Sequence, residues 1–101
     1  MENSIRKGYE RLATNVLRGF DDEWVSAILS NADESEFDRL RLFFESDNYQ
    51  IFCGLCGINA DDWRKFLEAL KTRASTNKKL YAELKQQWLK RQHLLMEEEL
   101  I

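Results

Sequence analysis

The chain has 101 residues, 44% of them hydrophobic and 33% charged, with no proline, four glycines and a formal net charge of −3. That composition excludes a disordered polymer, and no stretch approaches the roughly 20 apolar residues that a membrane span needs. The length suits one domain with a real core, and the lack of proline turns the expectation to an all-α fold.

The first predicted helix runs from about Asn3 to Leu17, with Ile5, Tyr9, Leu12 and Val16 on one face at spacings of four, three and four. Gly19 reads as its stop. Asp21, Asp22 and Glu23 then place negative charge at the positive pole of a second, short helix carrying Trp24, Val25, Ile28 and Leu29. Ser30 to Asp33 is a connection. A third helix follows over about Ser35 to Glu45, its apolar set Phe37, Leu40, Phe43 and Phe44. Ser46, Asp47 and Asn48 are cap-type residues for a fourth helix that ends near Cys56.

Gly57 follows Cys53 by four residues and precedes the apolar positions Ile58, Trp63 and Phe66. This is the pattern of a helix-turn-helix-like corner over residues 49–67: a small residue where two helices nearly touch, then a glycine free to take positive φ. A fifth helix starts about Ala60, with Asn59 as its cap and Trp63, Phe66, Leu67 and Leu70 as its stripe. After Ser75-Thr76-Asn77 comes the longest helix, Lys78 to Glu98, with Leu80, Tyr81, Leu84, Trp88, Leu94 and Leu95 along one side. The expected architecture is a compact bundle of about five to six helices. Residues 1–76 form the core domain, and residues 77–101 a long C-terminal helix that packs on the core or on a partner.

Charge is segregated. Residues 1–50 hold 11 acidic and 6 basic side chains, whereas residues 51–95 hold 4 acidic and 9 basic, and the tail Met96 to Ile101 adds three glutamates. Such asymmetry can mark a nucleic-acid face, or it can reflect basic residues that complement helix ends and the acidic half. On the first alternative, the corner's second helix would present Asn59, Arg64 and Lys65 to duplex DNA, with Lys71, Arg73, Lys78 and Lys79 as phosphate contacts. Asp61 and Asp62 oppose it, because they stand at the helix N-terminus where a phosphate would bind. The other expectation is a protein-interaction module. Trp88, Leu94 and Leu95 are then the candidate contacts to a partner or to a second copy in a homodimer.

Catalysis is poorly served. The single histidine, His93, lies far from the acidic pairs, and there is no phosphate loop, nucleophile elbow or His-Glu-x-x-His. Cys53-Gly-Leu-Cys56 has the spacing of a redox or zinc pair, but it lacks the βαβ setting of the former and the second ligand pair of the latter. Both cysteines therefore read as reduced, buried core residues, and no cofactor or metal is expected. The N-terminus lacks an apolar signal core, which points to the cytoplasm and not to export.

The stretch Leu42-Phe43-Phe44-Glu45-Ser46-Asp47-Asn48-Tyr49-Gln50-Ile51-Phe52-Cys53-Gly54-Leu55-Cys56-Gly57-Ile58-Asn59 resembles a segment of small phage and prophage proteins. Their recurring shape is an aromatic helix end, Ser-Asp, an aromatic, then Cys and a Gly-Ile/Leu-Asp-Pro corner. Here Asn59-Ala60 replaces Asp-Pro. The resemblance implies a helix-turn-helix-like core and a small regulatory protein acting in the cytoplasm of a bacterial host cell. Its target would be DNA or a host or virion protein.

Overall fold

The computed structural model describes residues 2–99, with side chains over residues 5–92. Among the described residues five helices make up the fold: α1 (Glu2–Leu29), α2 (Glu34–Phe44), α3 (Asp47–Leu55), α4 (Ala60–Thr76) and α5 (Lys78–Glu99). The main departure from the sequence reading is α1. Gly19 does not stop it, and the two helices expected on either side are one helix of 28 residues. A glycine inside a helix costs about 1 kcal/mol relative to alanine. That is too little to break a helix anchored just beyond it by the buried Phe20 and Trp24.

The other helix ends follow local chemistry. Ser46 Oγ accepts the Tyr49 N–H at 3.2 Å, Asn59 Oδ1 that of Asp62 at 3.1 Å, and Asn77 Oδ1 that of Leu80 at 3.1 Å. Each such cap stabilises its helix by about 1 kcal/mol. Two helices stop on a left-handed residue: Asn31 at φ 55° after α1 and Gly57 at φ 68° after α3. At the second stop Ile58 N–H donates to Cys53 O at 2.9 Å and Gly57 N–H to Gly54 O at 3.1 Å. This is the paired bonding of a Schellman stop, in which a glycine is the least strained residue. The chain therefore turns at Gly57 as expected, with Cys53 fully buried inside the bend.

The core is an aromatic cluster set on α1. Trp24 is wholly buried, its ring edge-on to Phe37 at 5.1 Å and tilted against Phe44 at 5.4 Å. Its Nε1 donates to Leu67 O on α4 at 2.8 Å, so the one polar atom of the indole is satisfied. Tyr49 on α3 packs on Phe43 and Phe44 and donates its hydroxyl to Ala60 O at 3.1 Å. α5 lies against this body: Tyr81 donates to Leu29 O, Leu84 packs on the core, and Arg91 pairs with Asp22 at 2.8 Å.

Candidate functional site

The seven residues expected at a DNA interface do not form one face. At about 100° per residue, Arg64 and Arg73 fall on opposite sides of α4. Lys65 faces solvent one turn after Asp61. Asn59 spends its side-chain oxygen on the helix cap. Lys71 is committed to the fold, since its Nζ lies 3.0 Å from Glu34 and 4.7 Å from the Phe37 ring centroid. It belongs to a seam between α2 and α4 in which Arg41 grips Glu68 through two nitrogens, at 2.7 and 3.1 Å, and also reaches Glu34 and Asp38. Arg41 and Lys71 together hold the Glu34 carboxyl below its ordinary range. Lys78 and Lys79 are exposed in the first turn of α5, which has no acidic residue to balance them.

A different surface stands out on α1. Ile5, Tyr9 and Leu12 keep 61%, 59% and 55% of their surface exposed, although their spacing is that of a buried stripe. The residues of α1 that enter the core are instead Ala13, Leu17, Phe20, Trp24, Ala27 and Ile28. α2 runs antiparallel along α1, with Phe37 at Trp24, Arg39 at Glu23 and Phe43 at Phe20. It ends there, having lined a side that carries Val16 and Phe20. Leu12, Tyr9 and Ile5 continue that side towards the N-terminus, beyond the reach of an 11-residue helix. Phe66, expected in the stripe of α4, is also 52% exposed and stacks on Trp63 at 5.0 Å.

A cleft of about 390 Å³ opens where α1, the Gly57 corner and α5 meet. Thr14, Arg18, Asp21, Cys56, Ile58 and Arg91 line it. The Trp63 indole donates to Asp21 Oδ1 at 3.0 Å and so ties the corner to α1. Burial raises the Asp21 carboxyl above its ordinary 3.8, an effect the Trp63 hydrogen bond opposes and the Asp22 charge reinforces. The Cys56 thiol is half-buried, 3.5 Å from Thr14 Oγ1, whereas burial pushes the Cys53 thiol up. Nothing in the sequence flagged this cleft, because its walls come from segments about 35 to 75 residues apart.

Of the expected partner contacts, Trp88 is half-buried, and its enclosed Nε1 has no hydrogen-bond partner among the described residues. The side chains of Leu94 and Leu95 lie outside the described residues. Among the described residues no helix is long and apolar enough to cross a membrane, and no group of three or more His, Cys, Asp or Glu could hold a metal ion. In comparisons with known proteins, no family model, curated protein or solved structure matches the chain.

Proposed function

We propose that this protein is a non-catalytic, phage-type interaction module that docks an acidic partner protein through the N-terminal half of α1. The observation that carries the reading is the line of large, exposed apolar side chains at Ile5, Tyr9 and Leu12. A contiguous exposed apolar surface of this kind marks interaction sites. Covering three side chains that are about half exposed returns roughly 1 kcal/mol each. Association costs about 4 kcal/mol or more, so the stripe needs help from charge. Lys7 and Arg11 supply it from the same turns of the helix, about 100° or more round from the stripe, so the fitting partner is an apolar surface that curls past the stripe and carries carboxylates at its edge.

A photo-crosslinking residue at position 12 of the full chain, exposed to a bacterial host lysate, tests this. One protein should be captured there but not from position 72 on α4. The capture should weaken with salt and disappear with Tyr9→Glu. Equal capture from both positions would sink the reading. Duplex DNA is the second reading, favoured by Arg73, Lys78 and Lys79 near the start of α5, where the helix dipole adds positive potential. A gel shift at low salt with micromolar protein separates the two. A complex lost on Lys78→Glu and kept with Leu12→Glu would establish DNA as the target.

A further inference from the structure

Cys56 and Cys53 differ in a way that buried core residues need not. Cys56 opens onto the cleft between α1 and α5, whereas Cys53, one turn earlier, is fully enclosed. Helix geometry sets their Cα atoms about 5 Å apart, within the range that a disulfide spans. An accessible thiol backed by an inaccessible one is the layout of an attacking and a resolving cysteine. The rest of the cleft has mixed charge: the Arg18 guanidinium, the Asp21 carboxylate, and Arg91, which already pairs with Asp22 at 2.8 Å. Its volume is at the small end of ligand sites, which suits one half of a low-mass disulfide.

We propose that this cleft is a thiol–disulfide exchange site for a small zwitterionic peptide disulfide of the oxidised-glutathione class. Arg18 takes one of its carboxylates and Asp21 takes its ammonium group. The Cys56 thiolate attacks one sulfur of the ligand, the ligand's S–S bond breaks, and one glutathione leaves as thiolate. The Cys53 thiolate then attacks Cys56 Sγ and displaces the second glutathione. The protein gains a Cys53–Cys56 disulfide and loses two electrons. The ligand disulfide is reduced to two thiols, which take up the two protons the cysteines release. Because Cys53 O anchors the Schellman stop, the new bond closes the turn that ends α3.

The test uses the reduced full chain with oxidised glutathione, samples being acid-trapped over time and read by intact mass and peptide mapping. A transient glutathione adduct on Cys56 should appear first, followed by a species lacking two hydrogens with Cys53 and Cys56 joined. The rate ratio against the uncharged bis(2-hydroxyethyl) disulfide should exceed that of the same chain unfolded in urea by roughly tenfold, the effect of one contact of about 1.4 kcal/mol. Arg18→Gln should abolish that excess. Cys56→Ser should be inert, and Cys53→Ser should halt at the adduct. If Cys53→Ser does not fold, the order of species in the parent chain decides. A persistent adduct, first modification at Cys53, or a ratio equal to that of the unfolded chain would each overturn the proposal.

Discussion

Two glycines should respond to alanine in opposite directions. Gly19 lies inside α1 with a helical backbone, and a Cβ built on it meets nothing within 4 Å. Gly19→Ala therefore adds only helix propensity, about 1 kcal/mol of stability. In a domain of this size that raises Tm by about 4–8 °C. Gly57 likewise has open space around its Cβ, but its φ is +68°. Alanine there meets no clash and bears the left-handed backbone penalty alone, roughly 1–2 kcal/mol. Urea unfolding followed by far-UV circular dichroism and by tryptophan fluorescence measures both, with the m-value unchanged from the parent. The two variants should differ by about 2–3 kcal/mol. A destabilised Gly19→Ala would mean that α1 is broken where the sequence first suggested, and a neutral Gly57→Ala would remove the Schellman stop.

Trp24→Phe takes the indole donor from Leu67 O and leaves a void in the aromatic cluster, so it should lower stability by about 2 kcal/mol in the same titration. Leu17→Ala and Leu12→Glu form a matched contrast on one helix. The first removes a side chain only 4% exposed and should cost about 2–5 kcal/mol. The second alters an exposed side chain, and its unfolding midpoint should stay within about 0.5 kcal/mol of the parent. Asp21 tests the linkage to pH. The folded chain holds its proton more tightly than the unfolded chain, so the stability it contributes is complete below pH 3.8 and is lost as pH rises through the folded value. Asp21→Asn keeps an oxygen for Trp63, and thermal melts should show it more stable than the parent at pH 7 and equal to it below pH 3.8. Equal melting points at pH 7 would deny the burial penalty.

Much of this fold is written in short-range signals. Ser46 and Asn59 cap helices where a side-chain oxygen was expected, Asn77 does the same for α5, and Gly57 turns left-handed where only glycine is unstrained. α1 shows where such signals fail. Glycine is a weak helix breaker, and the contacts that override Gly19 come from α2 and α4, far along the chain. The same distance hid which apolar face is covered. Ile5, Tyr9 and Leu12 have the period of a core stripe, yet coverage depends on the length of α2, which ends opposite Phe20. Lys71 looked like a free cation because Glu34, its partner, precedes it by 37 residues. The cleft beside Cys56 draws on three segments and has no local signature at all.

A helix that touches every other element imposes an order of events during translation. The indole of Trp24 leaves the ribosome 43 residues ahead of Leu67, the residue that receives its hydrogen bond. At about 10 residues per second the nascent chain carries that uncovered aromatic surface for roughly four seconds. Alone, such a segment is only marginally helical in water. The first-made of the five helices is thus among the last to become secure, and the apolar surface it leaves uncovered until then lies between Leu17 and Ile28.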